Sequence, residues 1–149
     1  MNTLSVITVT YNAEKTLQRT LKSVARQTYP FIEHVIVDGA STDGTVQLIQ
    51  EHEGDGVRWI SEPDKGLYDA MNKAMRMATG DWLCFLNAGD TFHEAKTVEK
   101  LMRSFTPAEA PDILYGETAI VDDEGKFLGM RRLKTPDRLT WKSFKQGMV

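Results

Sequence analysis

The sequence predicts an α/β fold in which a mostly parallel, Rossmann-like sheet is flanked by helices. Two observations support this class. Four short runs rich in β-branched and apolar residues alternate with four segments of helical character, up to residue 105. The first two runs are apolar almost throughout, which is typical of strands covered on both faces. Alternating strands and helices favour βαβ units, whose strands lie parallel.

The four predicted strands are each followed by polar residues. They cover residues 4–11 (LSVITVTY), 34–39 (HVIVDG), 57–62 (VRWISE) and 81–87 (DWLCFLN). The third alternates between polar and apolar positions, whereas the other three are mainly apolar. All four therefore satisfy the length and composition expected of strands.

A predicted helix follows each strand. In the first helix, Leu17, Leu21 and Val24 lie on one stripe at spacings of four and three residues. Asn12 precedes this stripe and has a side chain that commonly caps helices, so we expect it to be the cap. The second helix is predicted over residues 45–53.

The third predicted helix, residues 67–78, has the clearest periodicity in the chain. Its apolar residues fall at i, i+3, i+4, i+7, i+8 and i+11 and predict one continuous buried face. They are Leu67, Ala70, Met71, Ala74, Met75 and Ala78. The fourth helix is predicted over residues 95–105.

Beyond two prolines, Pro107 and Pro111, the pattern changes to a short β-rich extension. Residues 112–133 predict two or three strands, and Asp-Glu-Gly at 123–125 predicts a hairpin turn. Residues 137–144 have the composition of a short helix.

Length and charge exclude several classes of protein. The chain has 149 residues, enough for one domain with a hydrophobic core. Its net charge of −3 gives no global field that would attract nucleic acid, so we expect no nucleic-acid partner. Its lone cysteine, Cys84, cannot form an intramolecular disulfide and lies in an apolar run.

The sequence also predicts a cytoplasmic location. The first twelve residues lack the basic start of a signal peptide, and no apolar stretch approaches the ~20 residues of a transmembrane helix. Basic residues gather at 130–145. This run is either a solvated face or a peripheral contact with the anionic inner face of a membrane.

Polar clusters follow all four predicted strands, at residues 10–12 (TYN), 38–44 (DGASTDG), 61–66 (SEPDKG) and 87–90 (NAGD). Ligands of open parallel sheets bind outside the carboxyl ends of the strands. Each cluster also has a structural explanation: Asp-Gly pairs are turn signals, Asp64 can serve nearby amides, and Asp90 can cap the next helix. None of these explains why all four clusters share one edge.

The residue types at this edge suit a nucleoside diphosphate and a hard cation. They offer an aromatic ring, carboxylates and a lysine. The motifs GxGxxG, GxxxxGK[ST] and GxSxG are absent, which disfavours dinucleotide, P-loop and hydrolase sites. The three histidines, His34, His52 and His93, lack zinc-site spacing. Mg²⁺ or Mn²⁺ can be held by one carboxylate together with substrate phosphates.

Three stretches resemble family 2 glycosyltransferases, which have the GT-A fold: SVITVTYNAEKTLQRTLKSVARQTY, VIVDGASTDGT and SEPDKGLYDAMNKAMRMATGDWLCFLNAGD. The similarity covers residues 3–92, and EPDKGLYDAMNKA together with FLNAGD is similar to the branch that makes bacterial exopolysaccharides, including colanic-acid-type enzymes. It implies transfer of a sugar, usually with inversion, from a UDP- or GDP-sugar to a glycan or lipid-linked acceptor. We therefore expect residues 1–149 to form one truncated GT-A domain, with nucleotide-sugar-binding units at 1–105 and a partial acceptor-side region at 106–149.

The resemblance also implies roles for individual residues. Tyr11 would stack near the base, Asp38 would accept a hydrogen bond from it, and Lys65 would lie near the pyrophosphate. The implied nucleotide-sugar site consists of Thr8, Val9, Thr10, Tyr11, Asp38, Ser41, Asp43, Lys65, Asp69, Asn72 and Asn87.

The family's acidic metal motif often reads Asp-Ala-Asp-Asp, and here it is Asn87-Ala88-Gly89-Asp90. Asp90 matches the acid that holds the metal, whereas the other two acids are replaced by Asn87 and Gly89. No acid matches the family's general base, so the catalytic residue is not identified. The acids available beyond the fourth strand are Asp112, Asp122, Asp123, Glu124 and Asp137.

Two alternative functions follow from these departures. The chain could be a non-catalytic nucleotide-sugar-binding or assembly module. A nucleotidyltransferase is a third reading, although it would need a glycine-rich, basic loop where this chain has TYNAEK. If a segment that completes the sheet is missing, an exposed apolar edge would favour homo-oligomers.

Overall fold

The computed structural model describes residues 2–106, 108–109 and 111–131. The chain divides into two units, Met1–Arg103 and Ser104–Val149. The first unit contains β1 Leu4–Thr10, α1 Glu14–Ala25, β2 Ile32–Asp38, α2 Thr45–Glu51, β3 Val57–Ser61, α3 Leu67–Met77, β4 Trp82–Phe85 and α4 Thr97–Arg103. The second contains β5 Ala119–Val121 and β6 Phe127–Met130.

The first unit is built on a four-stranded sheet in the order β3-β2-β1-β4, and every pair of strands is parallel. The predicted α/β class and parallel sheet are confirmed. Thr10 pairs with Asp38, which in turn pairs with Ser61, so three strands end level with one another. This register brings their three following loops to the same edge.

Two apolar layers cover the sheet. Leu17, Leu21 and Val24 of α1 are buried, which confirms the predicted stripe. On the other face, Ala70 and Ala74 of α3 pack against the apolar residues of β1 and β2. Small alanine side chains let the helix lie close to the sheet, while Leu67 and Met75 are 51% and 41% exposed. The predicted face of α3 is therefore buried only in its middle.

A network of hydrogen bonds around one buried carboxylate lies at the amino end of the sheet. The buried Glu33 carboxylate accepts hydrogen bonds from Ser5 Oγ (2.6 Å), Thr79 N (2.8 Å), Thr79 Oγ1 (3.0 Å) and Arg58 Nη1 (3.0 Å). Burial raises the pKa of Glu33, but the hydrogen bonds outweigh burial and lower this pKa from 4.5 to about 2. A Cβ atom at Gly80 would lie only 2.6 Å from Ser5 Oγ, so this close approach requires glycine.

A second buried polar pair joins β1 to β2. Thr8 Oγ1 lies 2.9 Å from His34 Nε2 and donates to the backbone oxygen of Leu86 at 2.8 Å. The threonine hydroxyl has one proton, so His34 must be the donor in their contact. Burial, with a smaller contribution from His52, lowers the pKa of His34 from 6.5 to about 4, which keeps this imidazole neutral.

In the second unit, β5 and β6 form an antiparallel hairpin. Its turn is closed by Gly125 N donating to Asp122 O, and Gly125 adopts a φ of 84°. The predicted turn at 123–125 is confirmed. The helix predicted at 137–144 and most of the basic run at 130–145 lie outside the described residues. None of the described helices has the length and apolar character needed to cross a membrane.

Candidate functional site

Four loops, numbered first to fourth, follow β1, β2, β3 and β4. Side chains of the second loop and of Thr45 bind the start of α1. Asn12 N donates to Ser41 Oγ (2.8 Å), and Ala13 N donates to Thr45 Oγ1 (2.8 Å). In return, Asn12 Oδ1 accepts from Thr42 N at 2.9 Å. The prediction that Asn12 caps α1 is wrong. The residue at the cap position is Ala13, whose side chain makes no capping hydrogen bond.

Asp43 holds the two loops together. Its carboxylate accepts from Thr45 N (3.0 Å), Thr45 Oγ1 (2.5 Å) and Glu14 N (3.2 Å), and the hydrogen bonds, chiefly that from Thr45, lower the pKa of Asp43. The amides of Asn12, Ala13 and Glu14 thus all donate to side chains of the second loop or of Thr45, the first residue of α2. The start of α1 is therefore closed rather than open to an anion.

Asp38 is fully buried and ties the second loop to the third strand. Its Oδ2 accepts from Ser41 N (2.9 Å) and Ser61 Oγ (2.7 Å), and its Oδ1 accepts from Ser41 Oγ (2.5 Å). Both oxygens are therefore engaged within the protein. Ser61 was not among the predicted site residues, because a serine at a strand end gives no signal of its own.

The first three loops meet at Gly39. A Cβ atom at this position would lie 2.7 Å from Asp64 Oδ2 and 3.4 Å from Tyr11 Cδ2. Tyr11 is 64% exposed, so its ring offers an open face. Asp64 Oδ1 accepts from Gly66 N at 2.7 Å, which fixes the carboxylate in place. An aromatic face and a carboxylate therefore lie next to one glycine.

The third loop is organised by an acid and a lysine from α3. Asp69 Oδ2 accepts from Lys65 N at 3.0 Å. Lys73 Nζ donates to Glu62 Oε1 (2.8 Å) and to Pro63 O (2.8 Å), and it lies 3.8 Å from Asp69 Oδ2. The hydrogen bond that Lys73 donates to the Glu62 carboxylate raises the pKa of Lys73. Lys73 was missed by the sequence analysis, although its i, i+4 spacing from Asp69 is a recognisable signal.

Two other predicted residues of this region, Lys65 and Asn72, have exposed side chains. Thr8 and Val9 differ, because both are buried inside the sheet. Thr8 is fully buried, and its hydroxyl forms hydrogen bonds with His34 and the backbone oxygen of Leu86. It therefore lies beneath the candidate site and does not line it.

The fourth loop lies beside the first and is docked on α1. Thr20 Oγ1 accepts from Gly89 N (2.9 Å) and donates to Asp90 O (2.8 Å). Gly89 has a φ of 104°, a conformation that favours glycine. Asp90 is exposed, and α4 begins only at Thr97, so Asp90 does not cap that helix.

The fourth loop fits a cation that takes most of its ligands from elsewhere. The Asp90 carboxylate is exposed, and Asn87 Oδ1 is a buried oxygen without a hydrogen-bond donor. Within the described part of the chain, no three His, Cys, Asp or Glu side chains gather closely enough to hold a metal. One carboxylate and one amide oxygen match Mg²⁺ or Mn²⁺, which keep water or phosphate oxygens as further ligands.

A cavity of about 320 Å³ lies at the other end of the sheet, between α1 and the loop that precedes β3. The described residues that line it include His34 and His52 but neither lysine nor arginine. We place the candidate site at the carboxyl end instead, because polar side chains from four loops converge there.

Comparisons with known proteins show the family to which the chain belongs. The glycosyl transferase family 2 profile matches residues 5–148. The chain is 40% identical over 138 residues to an uncharacterized glycosyltransferase of Mycobacterium tuberculosis, covering 92% of this chain and 48% of the relative. It is 36% identical over 141 residues to a PGL/p-HBAD biosynthesis glycosyltransferase of the same species, covering 93% and 54%.

Two solved structures are similar to the chain. A mannosyltransferase from Pyrobaculum calidifontis, in complex with GDP-Man and Mn²⁺, has a TM-score of 0.62 and 29% identity, covering 68% of this chain and 31% of that one. S. aureus TarS 1–349, in complex with UDP-GlcNAc, has the same score and identity, covering 66% and 29%. The chain spans about half the length of the curated relatives named above. It belongs to glycosyltransferase family 2 and has the GT-A fold.

Proposed function

We propose that the chain binds a nucleoside-diphosphate sugar at the carboxyl edge of its sheet, together with Mg²⁺ or Mn²⁺. The sugar is then transferred, with inversion, to a glycan or lipid-linked acceptor. The observation that carries it is the convergence of the exposed Tyr11 ring, the Asp64 carboxylate and the exposed Asp90 on one edge. The similar mannosyltransferase was solved with GDP-Man and Mn²⁺, and TarS with UDP-GlcNAc.

The exposed ring of Tyr11 would carry the base. Stacking on an aromatic side chain stabilises a bound base by about 1–3 kcal/mol. Little reorganisation is needed, because hydrogen bonds from Asn12 and Ala13 to the second loop already fix the backbone that follows Tyr11. Binding to a preformed site avoids the entropy cost of ordering it.

The diphosphate would lie between Lys65 and the fourth loop. Lys65 has an exposed side chain, and its backbone is held by Asp69, so its ammonium group can reach an anion without disturbing the loop. Asp90 would hold the divalent cation, and Asn87 Oδ1 of the same loop, which has no hydrogen-bond donor, would be a second oxygen ligand. A bound cation supplies Lewis-acid stabilisation of the negative charge on the departing diphosphate.

Inversion requires a carboxylate that removes a proton from the acceptor. Asp122 does not suit this role, because its Oδ1 accepts from Glu124 N (3.0 Å) and Lys126 N (2.8 Å) within the hairpin turn. This turn role removes Asp122 from the candidate bases. In the second candidate function, the 149-residue chain binds a donor sugar without transferring it. Transfer to an acceptor distinguishes the two functions.

Calorimetric titration with UDP- and GDP-sugars, with and without Mn²⁺, tests the proposal. We expect Mn²⁺ to tighten binding at least tenfold in the wild-type chain, and Asp90→Ala to abolish this gain. Asp55→Ala is the matched control, because Asp55 is an exposed acid in the loop before β3, at the opposite end of the sheet. Absence of metal-dependent donor binding by the wild-type chain would contradict the proposal.

A further inference from the structure

Asp64 occupies the space that a side chain at position 39 would fill. Its Oδ2 lies 2.7 Å from the point where a Cβ atom of Gly39 would be, and the Tyr11 ring is the next neighbour at 3.4 Å. Its Oδ1 is anchored by Gly66 N at 2.7 Å. One oxygen of the carboxylate is therefore held by the loop, while the other lies against Gly39, which the ring proposed to carry the base also approaches.

Asp38, the acid predicted to accept from the base, is engaged elsewhere. It is fully buried, and three hydrogen bonds from Ser41 and Ser61 occupy its two oxygens. No part of Asp38 is exposed, so a ligand could reach its carboxylate only if the surrounding residues moved.

We propose that Asp64, and not Asp38, reads the base of the donor by accepting a hydrogen bond from a ring N–H on its pairing edge. This inference rests on the proposed function, because it presumes a nucleotide on Tyr11. An ionised carboxylate accepts hydrogen bonds and cannot donate them. It therefore selects uracil, which presents N3–H, or guanine, which presents N1–H. It disfavours cytosine and adenine, which present a lone pair at the corresponding ring nitrogen.

Because Asp64 Oδ1 is held by Gly66 N, replacing Asp64 by asparagine should reverse the hydrogen-bonding character of the group that faces the base. In Asp64→Asn, the amide oxygen would keep the bond from Gly66 N, which needs an acceptor. The NH₂ group would then take the place of Oδ2 and present a donor to the base. The preference should shift towards bases with a lone pair at that edge, which a merely structural role of Asp64 would not produce.

The experiment measures the dissociation constants of UDP, GDP, CDP and ADP, each with Mn²⁺, for the intact chain. For the wild type we expect UDP or GDP to bind at least tenfold more tightly than CDP and ADP, and the UDP and GDP arms identify which base is preferred. For Asp64→Asn we expect this ratio to fall below threefold, with CDP or ADP binding more tightly than to the wild type.

Two further variants make the result specific. Gly39→Ala places a methyl group against Asp64 Oδ2 and should lower the discrimination while leaving every charge in place. Glu62→Gln removes one negative charge from the same loop, where Glu62 contacts Lys73, and should leave the ratio between bases unchanged. Thermal unfolding of each variant confirms that the folded chain is being compared.

The outcomes separate this inference from the proposed function. If the wild type binds UDP or GDP and Asp64→Asn keeps the same ratio, the inference is wrong and the proposed function stands. A wild-type preference for CDP or ADP would also overturn the inference. If the wild type binds none of the four nucleotides, the proposed function is wrong and the inference fails with it.

Discussion

The two ends of the same parallel sheet are built differently. At the amino end, Glu33 gathers four hydrogen bonds, and Gly80 lets the chain lie against Ser5. At the carboxyl end, Thr10 Oγ1 and Asn87 Oδ1 are buried without a hydrogen-bond partner. The polar groups around Glu33 are hydrogen-bonded, whereas the carboxyl end holds polar atoms that lack partners.

Backbone conformation follows the same division. Two residues other than glycine adopt left-handed φ values among the described residues, Asn12 at 48° and Ala40 at 61°, and both lie in loops at the carboxyl end. Such conformations cost of order 1–3 kcal/mol each and cluster at functional sites. We infer from this difference that the amino end stabilises the fold, and it supports the proposal that the carboxyl end binds a ligand.

The largest effect is expected from Glu33→Ala. This change leaves the Ser5, Thr79 and Arg58 donors without their common acceptor, so we expect the free energy of unfolding to fall by about 3 kcal/mol. Urea denaturation measures the change. Nucleotide affinity of the folded chain should not change, and a matching loss of affinity would show that the two ends are not separate.

Acid should weaken the fold in two steps. The folded pKa of His34 is lowered to about 4 from 6.5, so the unfolded chain takes up this proton first. Stability is therefore lost as the pH falls from 6.5 towards 4, by roughly 3 kcal/mol. The folded pKa of Glu33 is lowered to about 2, so its contribution is present above pH 4.5 and is lost as the pH falls towards 2.

Denaturation at a series of pH values measures both steps. His34→Gln should remove the loss between pH 6.5 and 4 and keep the loss at lower pH. A chain whose stability is constant from pH 7 to pH 4 would contradict the assignment of a buried, neutral His34.

At the carboxyl end, Tyr11→Ala should reduce nucleotide affinity with little change in stability. The ring is 64% exposed, so its removal costs little packing, while the lost stacking is worth about 1–2 kcal/mol. Calorimetry measures the affinity, and Tyr11→Phe is the matched control that keeps the ring. Equal affinity in Tyr11→Ala would place the base elsewhere.

The smallest effect is expected from Ala40→Gly. Ala40 has a φ of 61°, and glycine adopts this conformation without steric cost, so the variant should be more stable by about 1 kcal/mol. Ala25→Gly, in the exposed last position of α1, should instead destabilise the chain by up to about 1 kcal/mol. Thermal unfolding of both variants checks the opposite signs.

Much of the fold could be predicted from the sequence, because its strands and helices carry strong local patterns. The β-branched run of β1 and the stripe of Leu17, Leu21 and Val24 gave the right elements in the right order. The Asn12 cap was wrong because this side chain bonds to Thr42, far along the chain, and no local pattern reports such a contact.

The sequence predicts the candidate site only at the level of loops. The rule that ligands bind beyond the carboxyl ends of parallel strands points to the four polar clusters. It does not say which acid within them contacts a ligand. Asp38 precedes Gly39 and Asp64 lies two residues before Gly66, so the local sequence does not show which of the two acids is free to contact a ligand. Their difference arises from tertiary contacts: Asp38 is fully buried and accepts hydrogen bonds from Ser41 and Ser61, whereas Asp64 reaches the space beside Gly39.

Hydrogen exchange with and without UDP or GDP and Mn²⁺ tests the central claim, that the donor binds at the carboxyl end of the sheet. We expect new protection of amides in residues 10–13, 38–44, 61–66 and 87–90. We expect no change at residues 79–82, which belong to the amino end. Protection confined to residues 52–57, around the cavity at the amino end, would contradict it.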